Sequence, residues 1–135
     1  MATSITNIGI SRYSDLDLNF AIHPVKKDIN TLYDERAVIT SLKNLLLMNH
    51  YEKPFHPEIG SNVRRLLFDN MDSISANILE KEIQQTIINF EPRVTLNQLK
   101  VSPDYDNNRF SVTMNFIIGN KTNPINIEFF LARER

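Results

Sequence analysis

The chain has 135 residues, with 15 basic and 16 acidic side chains and a formal net charge of −1. One domain is the expectation, and bulk charge gives no case for nucleic-acid binding. Hydrophobic residues make up 41% and charged residues 23%, the balance of a globular chain that buries a core, and the absence of cysteine excludes disulfides and thiolate metal sites.

The first stretch, Met1 to Thr31, carries no helical period. Its start, Met1 to Tyr13, is polar and lacks the apolar run of a signal peptide. Ile8/Ile10 and Leu16/Leu18/Phe20/Ile22 alternate, which predicts short strands or an extended arm over 1–31 that needs the core or a partner to order it. The remainder, 32–135, reads as a single α+β domain.

A first helix is predicted over Asp34–Met48, capped by Asp34, with Val38, Leu42, Leu45 and Leu46 on one face. The longest apolar run, Leu45 to Met48, is too short to cross a bilayer. Pro54 and Pro57 then force a shaped loop over His50–Gly60. A shorter helix is predicted over Asn62–Asp69, with Val63, Leu66 and Leu67 inward and Phe68 beside them. A third runs over Ser75–Phe90, with Ile74, Ile78, Leu79, Ile83, Ile87 and Phe90 as its apolar stripe, and Pro92 ends it.

The period then changes to two. Phe110, Val112, Met114, Phe116 and Ile118 alternate with more polar neighbours, and so do Ile125, Ile127, Phe129 and Leu131. Val94/Leu96 and Leu99/Val101 predict an earlier strand whose phase slips at Asn97–Gln98 through a bulge. Asp104–Asn108 and Gly119–Pro124 supply the turns. The expected fold is about three helices packed on one face of a three-stranded antiparallel meander, with an extended N-terminal arm.

Catalytic signatures are sparse. No pair among His23, His50 and His56 has the spacing of a helical zinc site. Gly9, Gly60 and Gly119 are too scattered for a phosphate-cradling loop, and no serine sits in a nucleophile elbow. Neither a metal nor a cofactor is therefore expected. Glu52 and Glu58 flank the Pro54–Pro57 loop as a carboxylate pair of the kind glycoside hydrolysis uses. Solvated carboxylates are the simpler reading, and no tryptophan is present to stack a sugar. Glu91-Pro92-Arg93 is more informative. A proline-stiffened turn between helix and sheet presents an acceptor and a planar donor fork on one side, suited either to a polar contact with a partner or to pairing within the fold.

Four segments in succession carry a family resemblance. They are Ser14-Asp15-Leu16-Asp17 with Phe20 and His23-Pro24; Ala37 to Leu46; Glu52 to Ser61 followed by Leu66-Leu67-Phe68; and Phe90-Glu91-Pro92-Arg93 with the strands after it. Together they span nearly the whole chain, which resembles the baseplate wedge family of contractile tails, including the wedge subunit of T-even-like phages and its type VI secretion counterpart. Relatives often have glycine where Tyr51 stands, so here the turn has to form without it.

The resemblance implies a structural subunit, made in the host cytoplasm and present in multiple copies in a symmetric tail baseplate. Its expected partners are wedge core proteins, held through Glu91, Pro92 and Arg93, and the tail sheath protein, met by pairing along Ile125, Ile127, Phe129 and Leu131. Neither nucleic acid nor membrane is an expected partner. Lys121 and Arg133 would restrain wrong strand pairing before assembly. The family has also carried a lysozyme-like label, which nothing in the sequence independently supports; a small muramidase using Glu52 and Glu58 is the competing expectation.

Overall fold

A computed structural model of the chain describes residues 13–17, 22, 24–25, 27–28, 31–119 and 121–132. Its elements are β1 (Ser14–Leu16), β2 (Thr31–Tyr33), α1 (Glu35–Leu47), α2 (Val63–Leu66), α3 (Ser73–Phe90), β3 (Val94–Asp104), β4 (Arg109–Ile118) and β5 (Ile125–Ala132). This is an α+β protein with three helices and a three-stranded antiparallel sheet among the described residues. The chain divides into two compact units, 1–40 and 41–135.

In the first unit β1 and β2 pair antiparallel, with Asp15 opposite Leu32. The expected alternation of Ile8/Ile10, and Leu18 and Phe20 of the second set, lie outside the described residues, as do His23 and Arg133. Asp34 stands at the start of α1 as expected, but with a left-handed φ of 48°, which aspartate tolerates better than most residues. Its N–H donates to the Tyr13 carbonyl at 2.8 Å, and its carbonyl accepts from the Val38 N–H at 3.0 Å to begin the helix.

The predicted inner face of α1 holds: Val38, Leu42, Leu45 and Leu46 are all buried. Helix α2 is a single turn, shorter than expected. Val63 and Leu67 are buried, but Phe68 is 60% exposed. The Phe68 and Asp69 N–H groups bond back three residues, to Arg65 and Leu66. That tighter winding takes Phe68 off the inner face.

Helix α3 begins two residues before the expected Ser75. Asp72 caps it in an extended conformation, its carboxylate accepting the Ser75 N–H at 2.7 Å. The helix ends at Phe90, where Pro92 requires. Its inner stripe is Ala76, Leu79, Ile83, Thr86 and Ile87. Ile74 and Ile78, expected inside, are exposed, as is Ile88. At about 100° per residue these three fall on the face opposite Ile83, so the apolar set divides between two faces.

The sheet has the order β3-β4-β5, so β4 is central. Phe110, Val112, Met114, Phe116 and Ile118 are all buried. Each Phe side chain withdrawn from water contributes roughly 2–3 kcal/mol, so β4 is the centre of the core. Val101 pairs with Val112, and Val112 with Phe129. Helix α3 lies along β3, with the Val101 N–H donating to Glu80 at 3.3 Å, and α2 packs against α3. The predicted slip is a bulge between Leu96 and Gln98 that leaves Asn97 without a partner residue. The first turn closes through Asp104, which accepts from Asn107 and Arg109, both at 2.9 Å. The second uses Gly119 at φ 51°, a left-handed position where glycine avoids the Cβ penalty.

The Ser75 backbone N–H, helped by the Ser75 side chain, holds the Asp72 carboxyl below its ordinary 3.8. A depressed pKa stabilises the fold above the unfolded value, and the contribution is lost as pH falls through the folded one. Asp72→Ala should therefore melt at a lower temperature than the parent at about pH 7, and the gap should close by about pH 2. Thermal melts followed by circular dichroism check this; a gap that persists in acid would remove the cap from the account.

Candidate functional site: the turn after helix α3 and the edge of the sheet

Helix α3 stops because Pro92 biases Glu91 away from helical backbone. Glu91 is the C-cap at φ −126° and ψ 75°, and its N–H still closes the last turn on the Ile87 carbonyl at 2.9 Å. The Glu91 carbonyl then accepts from the Val94 N–H at 3.2 Å. Residues 91–94 thus form a tight turn with proline at its second position, where a fixed φ is favoured. The Gly119 N–H donates to the Arg93 carbonyl at 2.8 Å, which anchors Arg93 to the end of β4.

Glu91 is only 3% exposed. An isolated carboxylate there would cost far more than the fold could supply, and this one is satisfied from three directions. Arg93 Nε donates to Oε1 at 2.5 Å and Nη2 donates to Oε2 at 2.7 Å. Ser41 Oγ, on α1, donates to Oε2 at 2.9 Å and accepts from Arg93 Nη2 at 3.0 Å. Glu91 and Arg93 do project to one side, and they engage each other as a bidentate pair. The Arg93 side chain remains 30% exposed while the Glu91 side chain is 4% exposed. Pro92 is exposed between them. Sequence reasoning missed Ser41. It lies fifty positions from Glu91, and a lone serine near the inner face of a helix carries no local signal of what it meets.

The second candidate surface is β5. Ile125, Ile127, Phe129 and Leu131 line one face, opposite Phe116, Met114, Val112 and Phe110 of β4. The first three are half-buried and Leu131 is buried, so these side chains serve the core. Among the described residues no strand pairs with the other edge of β5, and an unpaired edge presents a row of backbone donors and acceptors.

The loop between α1 and α2 is pinned at its base. Asn49 and Ser61 form a parallel bridge, and Ser61 Oγ donates to the Leu46 carbonyl at 2.6 Å. Gly60 allows this approach, because a Cβ there would lie 2.7 Å from the Asn49 backbone. Tyr51 adopts φ 71° and Phe55 φ 68°, so Tyr51 supplies the left-handed conformation itself. Both rings are almost wholly exposed.

The carboxylates of this loop have different surroundings. Glu52 accepts from the Asn49 N–H and Nδ2, and its pKa is lowered, chiefly by that backbone N–H. Glu58 is also lowered, first by its own backbone N–H and then by His56, whose Nδ1 lies 3.1 Å away. Glycoside hydrolysis needs one of its two carboxyls raised, to donate a proton. Glu58 lines a cleft of about 580 Å³ with His50, Tyr51 and Arg65, and Glu52 does not.

Two stability measurements follow from this geometry. Arg93→Ala strands a buried carboxylate and should cost about 2–3 kcal/mol in urea unfolding of the free protein. Arg93→Lys, which keeps the charge and loses the fork, should cost less; equal losses would mean that charge compensation of Glu91 is unimportant. Tyr51→Gly should gain about 0.5–1 kcal/mol by relieving the left-handed tyrosine, and a loss instead would show that its ring packs productively.

Comparison with known proteins joins these features. Residues 33–121 match the family described as baseplate wedge protein gp25. The chain is 30% identical over 116 residues to baseplate wedge protein gp25 of Enterobacteria phage T4, covering 86% of each chain. Its fold is similar to a tail lysozyme-like protein of Geobacter sulfurreducens (TM-score 0.67, 18% identity, 75% of this chain and 92% of that one). It is also similar to a chain of the anti-feeding prophage baseplate (0.62, 15%, 91% and 87%) and to one of the postcontracted pyocin R2 baseplate (0.61, 17%, 80% and 100%). The protein belongs to the gp25 family of baseplate wedge proteins.

Proposed function

We propose that this wedge protein joins the wedge core to the first sheath ring of a contractile tail and templates sheath assembly by strand pairing. The observation that carries the templating role is the contrast between the two edges of the sheet. Edge strand β3 is interrupted by the bulge at Asn97 and contains Pro103, two features that blunt strand addition. Edge strand β5 pairs with β4 without a break from Ile125 to Ala132 and contains no proline. A regular edge can accept an extended segment of the sheath protein through main-chain hydrogen bonds, with Ile125, Ile127, Phe129 and Leu131 setting its height against the core.

The wedge core is met at the other candidate surface. Glu91 is committed to Arg93, so its role is positioning; the exposed part of Arg93 and the rigid Pro92 make the contact. Desolvated arginine contacts of this kind carry much of the energy of an interface. The outward isoleucines of α3, Ile74, Ile78 and Ile88, widen the surface available to neighbours in the baseplate. The helices of the domain 32–135 cover one face of the sheet. The protein is assembled in the host cytoplasm and ends in multiple copies in the virion baseplate.

Co-purification with the wedge core proteins tests the anchor. Arg93→Lys, chosen because it keeps a positive charge beside Glu91, should weaken the complex about tenfold or more, the scale of losing a desolvated arginine contact. Retention at wild-type affinity would sink the anchor. Strand addition is tested by proline, since successive N–H groups along β5 point alternately to β4 and away from it. Of Ile127→Pro and Glu128→Pro, one should unfold the sheet and the other should fold yet fail to seed sheath polymerisation. Normal seeding by the folded variant would end the templating reading. Release of reducing sugar from peptidoglycan, abolished by Glu52→Gln or Glu58→Gln, would restore the muramidase reading.

A further inference from the structure

The outer face of the sheet carries a chain of side-chain amides that crosses all three strands. Asn97 Nδ2 donates to Asn115 Oδ1 at 3.0 Å, and Asn115 Nδ2 donates to Asn126 Oδ1 at 2.5 Å. Asn115 and Asn126 are paired residues on β4 and β5. Asn97 heads the chain from the bulge, which sets two β3 residues against one of β4. Every donor therefore points the same way, from β3 toward β5, and the row ends on Asn126 with its amide N–H₂ as the next donor.

Two further groups follow on the same face of β5 at two-residue spacing. The Glu128 carboxylate accepts from Ser111 Oγ at 3.1 Å and has lone pairs to spare. The Phe130 ring is half-exposed and carries the Arg109 guanidinium 3.7 Å from its centroid. Along its open edge β5 thus displays a donor, an acceptor and a ring, all projecting from one face.

We infer that these three side chains read the register of the strand that joins β5. Main-chain hydrogen bonds alone are indifferent to a shift along the edge, because every residue supplies the same groups. Cross-strand side-chain pairs break that degeneracy. The segment that fits is an extended peptide with a side-chain oxygen opposite Asn126. It has a lysine, arginine or hydroxyl donor opposite Glu128 and an apolar side chain opposite Phe130, at alternate positions. A slip of one residue turns all three to the wrong face; a slip of two sets the peptide's oxygen against the Glu128 carboxylate or its donor against the Asn126 amide. The inference rests on the strand-pairing reading and adds the chemistry of the strand that is accepted.

The test measures binding of the full-length protein to purified sheath subunit of the same tail. Asn126→Asp keeps the acceptor that Asn115 uses and replaces the free donor by a carboxylate. Glu128→Lys reverses the second group. Both positions are exposed on an edge strand, so both variants should fold, and unchanged hydrogen-exchange protection of β4 verifies it. Each should weaken binding about fivefold or more, the scale of one lost or reversed hydrogen-bonded pair. Binding within about twofold of wild type by either variant, while the folded proline variant of β5 fails to bind, would overturn register reading and leave strand pairing standing. Undiminished binding by the proline variant as well would overturn both.

Discussion

A buried carboxylate organises the part of this protein that the rest depends on. Glu91 sits where α3 ends and β3 begins, almost without solvent, so its charge has to be met by the fold. Arg93 meets it with two parallel hydrogen bonds and Ser41 with a third. The cluster ties the later part of α1, the end of α3 and the start of β3 to one point, and the Gly119–Arg93 backbone bond adds the end of β4. Such a cluster contributes less net stability than its bond lengths suggest, because desolvation offsets much of the gain. What it supplies is geometry: a guanidinium held rigid in a proline turn, with part of its surface turned outward.

That arrangement changes what the tripeptide means. Read as a linear motif, Glu91 and Arg93 look like two equal contacts for a partner. In the fold their burial differs sharply, and the difference divides the work. Glu91 is enclosed, while Arg93 keeps part of its side chain in solvent. A substitution of Arg93 by a neutral residue therefore confounds loss of contact with loss of fold, and lysine is the more informative replacement.

The sheet shows the same economy. Its inner face is a continuous apolar surface centred on β4, while its outer face carries the amide row and the Glu128–Ser111 pair. The bulge at Asn97 serves both. It breaks the regularity of β3, which discourages strand addition at that edge, and it heads the amide row that ends at the other. Together with Pro103, the bulge makes the two edges of a small sheet unequal.

Much of this fold was legible in the sequence because its periods are strict. The two-residue alternation of β4 and β5 specified their inward faces correctly, and the broken phase at Asn97–Gln98 marked the bulge. Asp34, Pro92 and the turn residues after Asp104 and Ile118 marked element ends through local backbone chemistry, which needs no distant partner. The four ordered segments also pointed to the wedge family. What periodicity could not decide was which of two apolar faces of α3 is covered, since isoleucines occupy both; only packing against β3 selects Leu79, Ile83 and Ile87 over Ile74, Ile78 and Ile88. It could not show that α2 tightens after one turn and turns Phe68 outward, or that Tyr51 itself takes the left-handed conformation. The partnership of Ser41 with Glu91 and Arg93 also belonged to the tertiary structure. Residues fifty apart meet only after the chain has folded, and the Glu91 charge needs compensation only once water has been taken from it.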